Sequence, residues 1–118
     1  MLTEYEEQVL LIKWCWNHPN IKVRKIYSHL NGMRTTVGTA IKARDAGAKA
    51  GTPDLFLPVA RGGYHGLYIE MKRQKGGTLS AIQKDTIESL KEEGYAVYVC
   101  KGAKAASEVI TTYMSIDR

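Results

Sequence analysis

The sequence predicts an α/β fold in which a small mixed β-sheet is flanked by helices. Two short apolar runs, residues 55–57 and 67–71, are separated by a loop with three glycines, a pattern typical of a β-hairpin. A third apolar run, residues 95–100, is continuous and predicts a strand that is buried on both faces. The segments around these strands carry helix start and stop signals, so we expect helices to cover the sheet.

Four helices are predicted from their capping residues and stops. The first begins after Thr3 and extends to about Trp16, with three glutamates in its first turns, where the helix dipole favours them. Its apolar face is expected to consist of Val9, Leu10, Ile12 and Trp16. The other three are expected from Thr35 or Thr36 to about Ala46, from Ser80 to about Glu93, and over about residues 103–113.

Residues 21–30 are ambiguous in the sequence. Apolar and charged side chains alternate over residues 21–27, which is compatible with a short strand. The pair Asn31-Gly32 that follows is a turn signal. The predicted order is therefore helix, uncertain segment, helix, hairpin, helix, strand and helix.

The composition is that of one basic globular domain, residues 1–118. The net charge of +5 and the pI of about 9.2 favour anionic partners, most commonly nucleic acid. No apolar run approaches about 18 residues, so we expect no membrane segment, and the acidic N-terminal residues are unlike a signal peptide. Cys15 and Cys100 lie in apolar stretches and are expected to be buried thiols and not a disulfide, which favours a cytoplasmic location.

Two carboxylates and an ammonium group are predicted to converge at one end of the hairpin. Pro53-Asp54 opens the first strand, and Glu70-Met71-Lys72 lies in the second. Side chains alternate along a strand, so Glu70 and Lys72 share one face. Mg²⁺ prefers oxygen ligands, which Asp54, Glu70 and the backbone carbonyl of Met71 can supply. Lys72 would lie beside the bound water and a phosphate, where it could orient the water and offset charge.

A purely structural explanation of the Glu-x-Lys pair is an ion pair on an exposed strand. Two observations oppose it. Asp54 follows a proline at the start of a core strand, where a lone carboxylate is costly. The neighbouring side chains are bulky and indicate that the acids rise from a buried sheet: Leu55, Phe56, Leu57, Tyr68 and Ile69.

The motif Pro53-Asp54 followed by Glu70-Met71-Lys72 resembles the signature of the PD-(D/E)XK nuclease superfamily. The wider sequence is similar to the VRR-NUC family, the virus-type replication-repair nucleases, in residues 50–58 (AGTPDLFLP), 66–72 (GLYIEMK), 79–84 (LSAIQK) and 94–97 (GYAV). Residues 3–8 (TEYEEQ) and Asn31-Gly32 also fit, so the resemblance covers nearly the whole chain. It implies a restriction-endonuclease-like core, and stand-alone members of this length are typical of phage and bacterial genomes.

The resemblance implies a role for each matching acidic or basic residue. Asp54 and Glu70 would be metal ligands, and Lys72 would be the catalytic lysine. A carboxylate from the N-terminal helix often completes such sites. Glu4 fits that place best and Glu7 is a weaker substitute, although Glu4 could instead simply complement the helix dipole.

Two glutamines are further candidates from the resemblance. Gln83, on the helix after the second hairpin strand, would face the site as a catalytic residue and help to hold the metal-bound water or the DNA backbone. Gln8 lies one helical turn after Glu4 on the same face and is a candidate DNA contact. The alternative for both is an ordinary polar position at the surface.

Basic residues cluster in sequence around the predicted site. Contacts from such residues to phosphates position DNA without reading its bases. No helix-turn-helix or zinc finger is apparent, so we expect recognition of DNA shape or of a junction. The candidate contacts are Lys42, Arg44, Lys49, Arg61, Arg73 and Lys75.

These observations lead us to expect a Mg²⁺- or Mn²⁺-dependent endodeoxyribonuclease. The resemblance adds branched DNA, with four-way (Holliday) junctions as the leading substrate, and a phage-encoded member would act in the bacterial host cytoplasm. Cutting two strands symmetrically needs two active sites, which favours a homodimer. The alternatives are a nickase, flap or end-processing nuclease, an inert DNA-binding module, and a subunit of a replication or packaging complex. The glycine loops do not resemble a P-loop and the histidines lack zinc-ligand spacing, so we expect neither a nucleotide cofactor nor zinc.

Overall fold

The computed structural model describes residues 1–29 and 36–118. Within them one sheet has the order β1-β2-β3-β4, formed by β1 Tyr27–Ser28, β2 Leu55–Leu57, β3 Leu67–Lys72 and β4 Ala96–Lys101. The pairs β1–β2 and β2–β3 are antiparallel, whereas β3 and β4 are parallel. The predicted mixed sheet and its hairpin are confirmed.

The helices of the described residues are α1 Glu4–Trp16, α2 Val37–Asp45, α3 Ala81–Glu92 and α4 Ala103–Met114. Thr3 and Ser80 each form a capping box with the residue three positions later, which confirms both predicted starts. The hydroxyl of Thr36 accepts a bond at the start of α2, so Thr36 is the cap of this helix. The other candidate, Thr35, and the predicted turn at Asn31-Gly32 lie outside the described residues.

One face of the sheet carries the hydrophobic core. Its side chains come from alternating strand positions, each at most 1% exposed: Leu55, Leu57, Leu67, Ile69 and Met71. Helices α1 and α4 pack against this face, and their burial of apolar surface is the main stabilising contribution. Glu70 and Lys72 point to the opposite face, where α3 approaches the sheet.

Helix α1 buries a different stripe from the predicted one. Leu11, Cys15 and Glu7 are buried, whereas Leu10 and Trp16 are 47% and 57% exposed. Because α1 is apolar on more than one side, its sequence alone does not single out the stripe that meets α4.

Of the ambiguous residues 21–27, only the end is part of a strand. A 3-10 turn spans Val23–Lys25, and β1 contains only Tyr27–Ser28. The carbonyls of Lys22 and Val23 accept the amides of Lys25 and Ile26, which closes this turn. Val23 and Ile26 are both buried, and their three-residue spacing fits a 3-10 turn better than an alternating strand.

Strand β4 is not buried on both faces as its apolar run predicts. It is the last strand of the described sheet, and Tyr98 and Val99 are 49% and 40% exposed. Ala96, Val97 and Cys100 are buried beneath the helices. At this edge the helices cover only part of the strand, so the continuous apolar run overstates its burial.

Both cysteines are free and buried, as predicted. Burial raises the pKa of the Cys15 thiol to about 12 and that of Cys100 to about 11. Neither thiol is therefore a nucleophile at neutral pH. Among the described residues, no helix combines the length and the apolar character needed to cross a membrane.

Candidate active site

The antiparallel pairing of β2 and β3 places Asp54 beside Glu70. Leu55 pairs with Ile69, so the residue before Leu55 lies level with the residue after Ile69. Asp54 Oδ2 accepts a hydrogen bond of 2.7 Å from the amide of Met71, which holds this carboxylate against β3. The backbone of Met71 therefore lies at the same point as the two acids.

Glu4, in the first turn of α1, lies with these two acids. One carboxylate oxygen from each of Glu4, Asp54 and Glu70 lies within 4.8 Å of the others; we call these three residues the acid cluster. The capping box of Thr3 and Glu6 fixes the start of α1 and thereby the position of Glu4. Glu70 is 2% exposed and Glu4 is partly exposed, so the cluster opens to solvent on the α1 side.

The environment of the acid cluster raises the pKa of each member. Burial raises the pKa of Glu70 to about 8, and the neighbouring Asp54 charge adds to the rise. Burial also raises the pKa of Asp54, against the opposing effects of the Met71 amide and Lys72. The pKa of Glu4 is raised by burial too, and Lys72 opposes that rise. A cation held among these carboxylates would favour their charged forms and reverse the shifts.

Lys72 and Gln83 adjoin the acid cluster on the α3 side. Lys72 Nζ lies 3.7 Å from Glu70 Oε2, and the Lys72 side chain is 9% exposed. Gln83 Nε2 donates to Glu70 Oε2 at 3.2 Å, and Gln83 Oε1 accepts from Lys72 Nζ at 3.5 Å. The same Oε1 accepts the Ser80 amide at 2.9 Å in the capping box. Gln83 thus links the start of α3 to the acid cluster.

Glu7 makes a different contact and is not part of the acid cluster. Its carboxylate accepts the amide of Ala103 at 3.0 Å and Gln74 Nε2 at 2.9 Å, and Glu7 is 2% exposed. The N-cap of α4 is Gly102, which offers no side chain, so Glu7 supplies the missing acceptor. Glu7 therefore joins α1 to α4 and to the segment after β3.

Two of the predicted DNA contacts follow β3. Arg73 lies close enough to Glu4 to oppose the rise in its pKa, and both Arg73 and Lys75 are exposed. Gln8 is half-buried and lies one turn after Glu4 along α1. Of the three, Arg73 is the residue whose charge acts on the acid cluster.

The remaining predicted contacts lie on other segments of the chain. Lys42 and Arg44 are exposed in the last turn of α2, and Lys49 is exposed in the segment that leads to β2. Arg61 lies at the opposite end of the hairpin from Asp54, where its amide donates to the Tyr64 carbonyl. The structure does not bring Arg61 to the acid cluster.

His29 is a neighbour of the cluster that the sequence did not reveal. Its amide donates to the Asp54 carbonyl at 2.7 Å, and its charge opposes the rise in the Asp54 pKa. The pairing of Tyr27 with Phe56 places His29 level with Asp54. The pairing register of β1 with β2 is what would have predicted this position of His29. Zinc-ligand spacing does not depend on that register, and residues 21–30, which contain β1, are ambiguous in the sequence.

The donor set of the acid cluster suits a hard divalent cation. Carboxylate oxygens are the ligands that Mg²⁺ and Mn²⁺ prefer, and no thiol takes part among the described residues. The raised pKa values show that three acids in this position are poorly compensated by protein groups alone. A cation would balance them, and Lys72 would remain available to contact an anion.

Comparisons with known proteins identify the family of the chain. The family model of the VRR-NUC domain matches residues 3–104. A solved structure described as a VRR_NUC domain protein is similar with a TM-score of 0.82 and 33% sequence identity, over 99% of this chain and 92% of that chain. No curated protein matches the chain. The matched residues include the whole acid cluster, Lys72 and Gln83. The chain therefore belongs to the VRR-NUC domain family, which implies a DNA-binding nuclease of the PD-(D/E)XK type.

Proposed function

We propose that this protein is a Mg²⁺- or Mn²⁺-dependent endodeoxyribonuclease that hydrolyses phosphodiester bonds in branched DNA. The observation that carries the proposal is the convergence of oxygens from Glu4, Asp54 and Glu70 within 4.8 Å, with Lys72 Nζ 3.7 Å from Glu70. The net charge of +5 suits a polyanionic substrate.

Asp54 and Glu70 would hold the cation, and Glu4 and the backbone carbonyl of Met71 would be further oxygen donors. When bound, the cation would polarise the scissile phosphate and lower the pKa of the attacking water. Because Glu70 has a pKa of about 8, it would have to lose its proton to become a ligand at neutral pH.

Lys72 and Gln83 would act on the phosphate and the water directly. The Lys72 ammonium would donate to a phosphate oxygen and offset the negative charge that grows in the transition state. Its contacts with Glu70 and Gln83 hold it in place for this role. Gln83 Nε2 has two hydrogens, so one can bind Glu70 while the other orients the attacking water.

The substrate would be held through its phosphates. Arg73, whose charge acts on Glu4, would contact the strand being cut, and Lys75 and Gln8, close in sequence to Arg73 and Glu4, would help to hold it. The other candidate contacts, Lys42, Arg44, Lys49 and Arg61, would hold more distant parts of the DNA. Cutting both strands of a four-way junction needs two sites, so we propose a symmetric homodimer that acts in the cytoplasm.

A cleavage assay on defined substrates tests this function. Labelled four-way junction, flap, nicked duplex and single strands would each be incubated with Mg²⁺, Mn²⁺ or a chelator. We expect wild type to cut the junction only with a cation. Asp54→Asn, Glu70→Gln and Lys72→Ala should each slow cleavage at least about 100-fold and largely spare binding.

The matched control is Lys13→Ala, because Lys13 is an exposed lysine in the last turn of α1, at the other end of that helix from Glu4. It should cleave nearly as fast as wild type. Cleavage that persists in Glu70→Gln would refute the site, and binding without cleavage by wild type would support an inert DNA-binding module. Equal cutting of flaps and nicks would support a nuclease without junction preference.

A further inference from the structure

Two parallel lines of side chains cross one face of the sheet. The strand register places Tyr27 opposite Phe56, and Phe56 opposite Tyr68. Side chains two positions apart share a face, so a second line lies about 7 Å away along the strands. This second line consists of His29, Asp54 and Glu70. An aromatic line therefore runs beside the line that contains two members of the acid cluster.

The aromatic line forms a continuous surface. The rings of Phe56 and Tyr68 are 4.4 Å apart, and Tyr27 meets Phe56 edge-on at 5.9 Å. Tyr95 extends the surface, since its ring lies 5.3 Å from that of Tyr68. We call Tyr27, Phe56, Tyr68 and Tyr95 the aromatic platform.

The aromatic platform is accessible to solvent. Tyr27 is 53% exposed, and the other three rings are half-buried. The helices of the described residues pack mainly on β3 and β4, and α2 buries none of its own residues. A single exposed aromatic side chain is ordinary, whereas a contiguous group of them that solvent can reach is a feature of binding sites.

The position of the aromatic platform indicates which kind of ligand binds there. It is continuous with the acid cluster, where the proposed function places a phosphate, and Tyr68 and Glu70 are two positions apart on β3. The separation of the two lines is close to the span of one nucleotide in an extended strand. A ligand that reaches both must carry an anionic group at one end and a flat apolar face at the other.

We infer that the aromatic platform stacks the unpaired bases of the DNA strand whose phosphate lies at the acid cluster. This inference rests on the proposed function and requires that the bases beside the cut be unpaired in the bound complex, either in the free DNA or, at a four-way junction, after the protein opens the branch point. Stacking on aromatic rings tolerates any base, in keeping with recognition of structure. Bases inside a continuous duplex are enclosed by their neighbours, so a blunt duplex reaches the site without using the platform.

The test measures binding in chelator, where no cleavage occurs. Fluorescence anisotropy would compare a short single strand with a blunt duplex. Tyr27→Ala should weaken binding of the single strand roughly tenfold, because one stacking surface is lost. Binding of the blunt duplex should be unchanged, and Tyr27→Phe should retain the wild-type affinity for the single strand because it keeps the ring.

Tyr98→Ala is the matched control, because Tyr98 is a tyrosine of similar exposure on the opposite face of the sheet. It should bind every DNA as wild type does. Unchanged single-strand binding in Tyr27→Ala, or an equal loss for single strand and duplex, would overturn the inference.

The same proteins separate this inference from the proposed function. If wild type binds single strands through Tyr27 but cuts no DNA with Mn²⁺, the platform stands and the proposed function fails. If wild type cuts the junction while Tyr27→Ala keeps full affinity for unpaired DNA, the function stands and the platform fails.

Discussion

Glu70 is the side chain whose protonation responds most strongly to its surroundings. Burial and the Asp54 charge raise its pKa from 4.5 to about 8. Between pH 4.5 and about pH 8, Glu70 of the metal-free folded protein therefore keeps a proton that the same residue has released in the unfolded chain. Because the folded pKa is the higher one, stability falls as pH rises through this window.

Glu70→Gln should remove this loss of folding stability at high pH, since a neutral amide replaces the buried carboxylate. We expect the variant in chelator to be more stable than wild type at pH 8 by about 2 kcal/mol or more, and nearly equal to it at pH 5. Thermal unfolding at the two pH values measures the difference. Glu88→Gln, at an exposed side chain, should change little at either pH. A difference that does not vary with pH would contradict the raised pKa.

At the residue scale, the sequence predicts the parts of the site that depend on local pattern. Alternation along one strand is enough to place Glu70 and Lys72 on one face. His29 and Tyr27 join that face only through the pairing of β1 with β2, which connects residues far apart in sequence. Such a register is not encoded in any short window, so neither residue could be found from the sequence alone.

At the scale of elements, Glu7 is the connection that sets the position of α1. It accepts bonds from Ala103 at the start of α4 and from Gln74 after β3. Glu4 lies one turn earlier on the same helix, so the alignment of α1 determines whether Glu4 reaches the acid cluster.

Glu7→Ala should destabilise the protein by about 2–3 kcal/mol, because two partners of a buried charged acceptor lose their bond. Cleavage should also slow, since Glu4 would be less well positioned. Urea unfolding and the junction assay measure the two effects. Glu92→Ala, at an exposed position near the end of α3, should leave both unchanged. A loss of stability below about 0.5 kcal/mol would show that Glu7 does not join these elements.

The elements differ in how far the sequence predicts them. Thr3 and Ser80 predict the starts of their helices because capping is a local interaction. The glycine-rich loop likewise predicts the hairpin. The buried stripe of α1 and the exposure of β4 are set by what packs against them. An apolar segment looks the same in sequence whether its neighbours cover it fully or in part.

For the whole molecule, the distribution of charge determines how DNA is held. Arg73 lies beside the acid cluster, whereas Arg61 lies at the far end of the hairpin. Arg73→Ala should weaken binding to all DNA substrates and reduce the slope of log K against log salt by about 1. Arg61→Ala is the variant for comparison. A reduced salt slope in Arg61→Ala would mean that bound DNA extends to the far end of the hairpin. An unchanged slope in Arg73→Ala would exclude the phosphate contact proposed for this residue.

The proposed homodimer is also a property of the whole molecule. Sedimentation at micromolar concentration should give twice the 13.2 kDa mass of the chain. The dimer should make paired cuts across one junction, whereas a monomer would release singly nicked products. A monomeric sample that still makes paired cuts would contradict the link between symmetry and cleavage.

The most direct measurement of the central claim is anomalous scattering from crystals soaked in Mn²⁺. We predict a peak at coordinating distance from the Asp54 and Glu70 carboxylates, adjacent to Glu4 and the Met71 carbonyl, that disappears in Asp54→Asn. Absence of Mn²⁺ from the acid cluster, or a peak that persists unchanged in Asp54→Asn, would contradict it.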